Sequence, residues 1–389
     1  MTDVSPSVTV PSRDHVASDA PALAELRVAI AHDWLVNYAG SERVVEQIRR
    51  MFPDARLLTT LFDEGTMPVG LHGAETFLLQ AIPGATARHE WALPLMPLDW
   101  RLRGPVADVD IVISSSHACA KAVRVGEGIP HVCYCHTPMR YAWNYDAERE
   151  RFPFLLRVPV RAAMAGFRRW DKRVARGVTH FIANSNAVAE RIQTNYGRPA
   201  SVVHPPVDTE YFSAGGERRG YYLYAGRLVQ YKRPDVLVDA FAELPDQELT
   251  IAGAGPMLDK LRARATPNVK FVISPDKRQL RDLYRGASAL LQAGEEDFGI
   301  TMAEAQSCGT PVIALGRGGA LDVVTDGETG LTFSAPTLGA VRSAIRRASA
   351  IDWDFEHIAA NATRFSHDAF RNRIRDQISN VVSTSQRVA

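Results

Sequence analysis

Lysine is nearly missing from this chain of 389 residues: six stand against 39 arginines, so its basic surface is built overwhelmingly from arginine. Net charge is missing too. Lys and Arg total 45 and Asp and Glu 44, and the formal charge of +1 argues for neither nucleic acid nor a strongly acidic partner. The four cysteines, Cys119, Cys133, Cys135 and Cys308, show no Cys-x2-Cys metal spacing. Cys133 and Cys135 stand two apart on an expected strand, hence on one face, which disfavours a mutual disulfide and fits a reduced, cytoplasmic protein. No apolar run reaches the length of a membrane span, and no signal-peptide pattern opens the chain. No recognisable Ser–His–acid or Cys–His nucleophile motif is present. Asp108-Val109-Asp110 has the look of a metal-binding Asp-x-Asp, yet it precedes its strand and reads as a solvated strand entry. No metal and no cofactor are expected.

What is there is length and alternation. A hydrophobic content of 46% over this length suffices for two ordinary domains. Residues 1–24, rich in Ser, Pro, Asp, Ala and Val, read as a disordered leader. After it, short apolar strands alternate with helical patterns, which predicts parallel sheets covered by helices. In the first half the expected strands are Leu26–Ala31, Asp110–Ser114, His131–Tyr134, His180–Ala183 and Ser201–His204. In the second they are Tyr221–Ala225, Glu248–Ala252, Asn268–Ile273, Ala287–Leu291, Pro311–Ala314 and Leu331–Phe333. Pro205-Pro206 restricts helix formation and marks a linker, dividing residues 25–206 from 207–366. Two doubly wound α/β domains facing each other would bring their carboxyl-edge loops to one cleft.

The segment Glu296-Asp297-Phe298-Gly299-Ile300-Thr301-Met302-Ala303-Glu304 concentrates the chemistry of that cleft. Glu296 belongs to the loop at a strand's carboxyl end, and Glu304 lies one turn into the following helix. Between them the free amides of the helix N-terminus, at Phe298, Gly299 and Ile300, suit an anionic group. Ionised carboxylates only accept hydrogen bonds, so beside an anion they need hydroxyl-bearing partners. A nucleotide sugar supplies both, with hydroxyls on two sugar rings and a diphosphate between them. Arg227 follows the strand Tyr221–Ala225 after Gly226, and Lys232 lies five residues on, where Pro234 opens a helix. In a chain so poor in lysine, Lys232 fits a need for a compact ammonium beside the planar fork of Arg227. Gly40-Ser41 sits in the loop after the first strand, where a phosphate or sugar approaches backbone amides closely. His117 and His136 both end strands at that edge, and Arg140 follows on the same segment as His136.

These features, in this order, resemble the Glu-x7-Glu signature of retaining glycosyltransferases of family 4, which have the two-domain GT-B fold. The likeness runs from about Leu26 to Ile378 and includes His32-Asp33-Trp34-Leu35, Ala39-Gly40-Ser41-Glu42, Cys135-His136-Thr137-Pro138, Gly226-Arg227-Leu228 with Lys232, and Gly253-Ala254-Gly255-Pro256. The resemblance implies that Arg227 and Lys232 bind the donor diphosphate, Glu304 the ribose, and Glu296 and His136 the transferred sugar. It implies metal-independent transfer of a hexose without an enzymic nucleophile. It also implies that a last helix, 367–385, crosses back to the first domain. Two positions depart from the pattern: Ser41 stands where a second Gly is usual, and Asp297 where a Gly commonly follows the first Glu. Gly253-Ala254-Gly255-Pro256 lacks the third glycine of a dinucleotide fingerprint and reads as a tight turn beside the donor. Ile273, at the end of its strand, falls near the expected nucleobase pocket.

The motifs around His32 and His136 look most like mannosyltransferases of polysaccharide and glycolipid assembly, which names mannose from GDP-mannose as the donor and a lipid-linked or glycan hydroxyl as the acceptor. A nucleotide-sugar 2-epimerase of the same fold and a non-catalytic sugar-binding protein remain as alternatives. Residues 149–176 carry nine Arg/Lys and two acidic residues among Phe152, Phe154, Leu155, Leu156, Phe167 and Trp170, and Trp91, Leu93, Leu95, Met96 and Trp100 form a second apolar cluster. Such segments suit peripheral contact with an anionic membrane on its inner face, or equally an ordinary helix with its arginines in water.

Overall fold

The computed structural model describes residues 23–143, 154 and 157–388. Residues 1–22 of the expected leader and much of 149–156 lie outside the described residues. Among the described residues fourteen strands follow in chain order: β1 Val28–His32, β2 Arg56–Thr59, β3 Pro105–Val106, β4 Ile111–Ser116, β5 Arg124–Val125, β6 His131–Cys135, β7 His180–Ala183, β8 Ala200–Val202, β9 Tyr221–Ala225, β10 Leu249–Ala252, β11 Val269–Val272, β12 Ala287–Gln292, β13 Val312–Leu315 and β14 Gly330–Phe333. They form two six-stranded parallel sheets, ordered β2-β1-β4-β6-β7-β8 and β11-β10-β9-β12-β13-β14, with β3 and β5 paired separately.

Central strands of such sheets are buried on both faces and read as unbroken apolar runs. β9, Tyr-Tyr-Leu-Tyr-Ala, shows how this works. Tyr222 and Tyr224 enter the core on one face, whereas Tyr221, Leu223 and Ala225 enter the core on the other. β1 divides in the same way, with Val28 and Ile30 on one side and Ala29 and Ala31 on the opposite side. Each sheet reverses its strand order beside its first strand, between β1 and β4 and between β9 and β12. Crevices at such reversals, outside the carboxyl ends, are where open α/β sheets bind ligands. β2, whose four residues pair with β1, was not among the expected strands.

The two domains are joined twice. After β8 the chain crosses at Pro205–Val207, and it returns at Phe365–Ser366, where Val207 N donates to Phe365 O at 2.8 Å and pairs with Ser366. The returning helix His367–Val388 sets Phe370, Ile374, Ile378, Val381 and Val382 into the core that holds Val28 and Ile30.

Candidate active site

The loop after β1 is built on a buried acid. Asp33 is wholly inaccessible, and its carboxylate accepts from four consecutive amides: His117 at 2.6 Å, Ala118 at 2.9 Å, Cys119 at 2.5 Å and Ala120 at 2.5 Å. It therefore ties the end of β1 to the turn after β4. The same carboxylate lies 3.2 Å from His117 Nδ1. Burial works to raise the Asp33 pKa, but His117, His32 and the amides outweigh it and hold the group below the usual carboxylate value.

His32, also buried, places Nδ1 2.9 Å from Ser115 O and Nε2 3.4 Å from Glu42 Oε1. Burial opposes its protonation, yet Glu42 and Asp33 raise its pKa overall. Glu42 also accepts from Ala39 N at 2.9 Å, closing the N-terminal turn of the helix Gly40–Met51. The backbone of Gly40 thereby reaches across to the second domain, where a Cβ would stand 2.7 Å from Ile300 Cδ1.

His136 ends β6 with Nε2 2.8 Å from Ser115 Oγ, and Asn184 Nδ2 donates to its carbonyl at 2.9 Å. Burial, then the neighbouring His117 and His32, push its pKa down to about 3, so the ring is neutral. The His117 ring lies 6.1 Å from that of His136 and meets Trp34 edge-on at 4.6 Å. Burial lowers the His117 pKa as well, against the pull of Asp33. Both imidazoles line the cleft from the first domain.

On the second domain the loops after β9 and β10 interlock. Leu228 N donates to Ala254 O at 2.8 Å, and a Cβ on Gly253 would lie 2.0 Å from Gly226 O, so only glycine fits there. Arg227 Nη2 donates to Tyr231 OH at 3.2 Å. Lys232 closes the 3-10 turn Gln230–Lys232, with Arg233 left-handed at φ 53°, and its Nζ lies 2.7 Å from Glu296 Oε1. Gly294 lets the loop carrying Glu296 press on Lys232, since a Cβ would be 2.5 Å from the Lys232 Cα. Gly299, left-handed at φ 91°, then turns the chain into the helix Ile300–Ser307.

These groups share one cleft of about 790 Å³ between the domains. Gly40, Ser41, His117, His136 and Arg140 line it from one side, and Arg227, Lys232, Glu296, Phe298, Gly299 and Ile300 from the other. Arg140 Nη2 crosses it to Asp297 Oδ2 at 2.6 Å, with its guanidinium 4.5 Å from the Tyr231 ring centre. Burial alone would lower the Arg140 pKa; Asp297 raises it instead.

A family model described as glycosyltransferase family 4 matches residues 38–211, and one described as glycosyl transferases group 1 matches residues 210–364. Together the two models take in nearly all of both domains. The chain belongs to glycosyltransferase family 4. Its fold is GT-B.

Among family relatives, the chain is similar to a D-inositol 3-phosphate glycosyltransferase of Mycobacterium sp. (strain JLS), 31% identical over 196 residues, or 43% of this chain and 44% of that one. The enzyme of the same name from Kribbella flavida is 32% identical over 194 residues, 41% and 46% of the two chains. The matches thus span less than half the length of these curated relatives. Among solved structures, Anabaena Alr3699/HepE in complex with UDP and glucose superimposes with a TM-score of 0.68 at 17% identity, over 91% of this chain and 100% of that one. Sucrose-phosphate synthase from Thermosynechococcus elongatus gives 0.69 at 17% identity, over 92% and 100%. At that identity the likeness is one of fold.

Two residues expected at the donor, Glu304 and Ile273, are not among the residues that line this cleft. Glu304 does not line the cleft: it is 2% exposed, with Oε1 2.6 Å from Arg43 Nη1 and Oε2 accepting from Tyr284 OH at 3.0 Å. Its position on the helix is as expected, but a cation from the first domain covers it. Ile273 is 40% exposed and also lies outside the lining. Arg43, the structural role of Asp33, and Trp34 and Asn184 in the cleft wall were not among the sequence expectations. Only Asp33 and Trp34 carried a signal, as neighbours of His32 in His32-Asp33-Trp34-Leu35.

The apolar cluster also differs from expectation. Met96 and Trp100 are core residues and Leu93 packs against them, whereas Trp91 is 84% exposed and Leu95 47%. Leu98 and Leu102, outside the expected cluster, are exposed as well.

Proposed function

We propose that this chain transfers a hexose from a nucleotide-sugar donor to a hydroxyl acceptor, with retention of configuration. The observation that carries this reading is the pairing of Lys232 with Glu296, in a cleft that Arg227, His117 and His136 also line. Arg227 and Lys232 would stabilise charge developing on the departing diphosphate, which is where preorganised cations lower a barrier most. The bond from the sugar's anomeric carbon to the phosphate oxygen breaks, the sugar gains oxocarbenium character, and the acceptor oxygen attacks from the same face. Its proton passes to the leaving phosphate. Neutral His136 suits hydrogen bonding to a sugar hydroxyl, and Glu296 accepts from another.

The relatives' names, D-inositol 3-phosphate glycosyltransferase, support glycosyl transfer, and HepE neighbours hold UDP, glucose and UDP-glucose. Mannose from GDP-mannose is the donor the motifs favour, with a lipid-linked or glycan acceptor in polysaccharide or glycolipid synthesis, and no metal in the reaction. A melting-temperature screen against GDP-, UDP- and ADP-sugars, followed by transfer assays, tests this. Only one nucleotide series should stabilise the protein, by about 2.7 kcal/mol at a hundredfold excess over Kd. Silence from all three would remove the proposal. Conversion of free donor without acceptor would favour the epimerase reading instead.

We also propose that the first domain docks on an anionic membrane, peripherally and from the cytoplasmic side. Trp91, Leu95, Leu98 and Leu102, spaced by four, three and four residues, are large exposed apolar side chains, and Phe154 and Val158 are each 79% exposed. Met164, Phe167 and Trp170 of the basic helix Arg157–Val174 pack on the core that holds Met96 and Trp100, so the apolar and basic elements adjoin. Trp and Leu side chains would enter the headgroup layer while arginines meet lipid phosphates. Vesicles containing phosphatidylserine should sediment the protein at low salt and release it at high salt. Absence of binding at low salt rejects docking.

A further inference from the structure

Glu295, Glu296 and Asp297 place three acids in succession on a cleft loop, where like charges repel. Their cations come from two domains. Glu296 takes Lys232 from its own domain, whereas Glu295 and Asp297 take theirs from the first. Arg191, on the helix Asn186–Tyr196, reaches Glu295 Oε1 through Nη2 at 2.6 Å and Asp297 Oδ1 through Nη1. Arg140 holds the other oxygen of Asp297, and Ser185 Oγ donates to the Asp297 carbonyl at 2.5 Å. One guanidinium fork thus bridges the acids on either side of Glu296, a bidentate geometry that lysine's point charge reproduces only in part.

The loop backbone is fixed from its own side. Gly319 N donates to Glu296 O at 2.8 Å, and Cβ atoms on Gly318 and Gly319 would fall 2.3 Å from Glu296 O and 2.2 Å from Phe298 Cα. With the backbone held by one domain and the flanking side chains drawn to the other, Glu296 is left to pair with Lys232. Opening the cleft breaks the Arg140 and Arg191 contacts together and leaves two acids without counter-charges.

We propose that Arg191 is a positioning residue for the transfer: by bridging Glu295 and Asp297 across the cleft it sets the domain closure at which Glu296 and Lys232 meet the first-domain histidines. The inference rests on the glycosyl-transfer reading for its kinetic consequence, but not for its structural one. Arg191→Gln should lower kcat on the order of 10-fold or more while GDP or UDP affinity stays within about twofold, because misplacing reacting groups slows chemistry without removing donor contacts. Small-angle scattering should show a larger radius of gyration, and Arg191→Lys should recover part of both losses. Wild-type kcat and radius in Arg191→Gln would overturn the proposal. So would a fall in kcat with an unchanged radius. If Arg191→Gln fails to fold, the double variant Glu295→Gln/Asp297→Asn removes the same bridge from the other side, and the same scattering comparison decides. If the wild-type protein transfers no sugar, the functional reading fails alone, and scattering still tests the bridge.

Discussion

Lys232→Ala is expected to lower turnover about 100-fold or more, the scale seen when one preorganised transition-state donor is removed. Two effects combine. The developing negative charge on the leaving group loses a cation, and Glu296, only 12% exposed at its side chain, loses the ammonium 2.7 Å from its carboxylate. Lys232→Arg should regain a small part, since a planar guanidinium spreads its charge where the wild type holds a compact ammonium. Steady-state kinetics with saturating donor measure the loss, and a melting curve matching the wild type shows that the fold is intact. Near-normal transfer by Lys232→Ala would remove this lysine from the chemistry.

The second large effect concerns stability. Asp33→Ala leaves four buried amides without their acceptor and removes the carboxylate 3.2 Å from His117 Nδ1. Breaking a buried, multiply bonded charge of this kind costs about 3–5 kcal/mol. At roughly 2–4 °C per kcal/mol, the first domain should melt around ten degrees lower. Asp33→Asn keeps an acceptor oxygen and should fall between the two. The pH dependence has a definite sign. The folded Asp33 pKa lies below the usual carboxylate value, so its stabilisation is complete above that value and fades as pH falls through the lowered one. His32, whose folded pKa is raised, contributes stability at low pH that is lost as pH rises through its folded value. Melting curves from pH 3 upward should therefore be flatter on the acid side for Asp33→Asn than for the wild type. An unchanged Tm in Asp33→Ala would show that water satisfies the turn.

How far the molecule was legible in its sequence follows from what each feature depends on. β7 and β9 could be read to the residue because runs such as Tyr221–Ala225 are apolar on both faces and bounded by glycine. β2 could not, because Arg56–Thr59 is four residues with one exposed arginine, and only its pairing with β1 makes it a strand. The carboxyl-edge placement of Arg227, Lys232 and Glu296 was legible, since strand ends and the helix-opening Pro234 locate them. The burial of Glu304 beneath Arg43 was not, because its partner lies 261 residues away on another domain. The same holds for Arg191 and Asp297, 106 residues apart. Long-range ion pairs leave no periodicity to read.

The returning helix has a consequence for the order in which the molecule assembles. Residues 208–362 hold all of β9–β14 and can complete their sheet as they leave the ribosome. The half made earlier cannot finish, because Phe370, Ile374 and Ile378 fill the space against Val28 and Ile30. Synthesis therefore runs opposite to maturation: the portion translated first is sealed last, and until then its apolar wall faces solvent, where chaperones and aggregation compete for it.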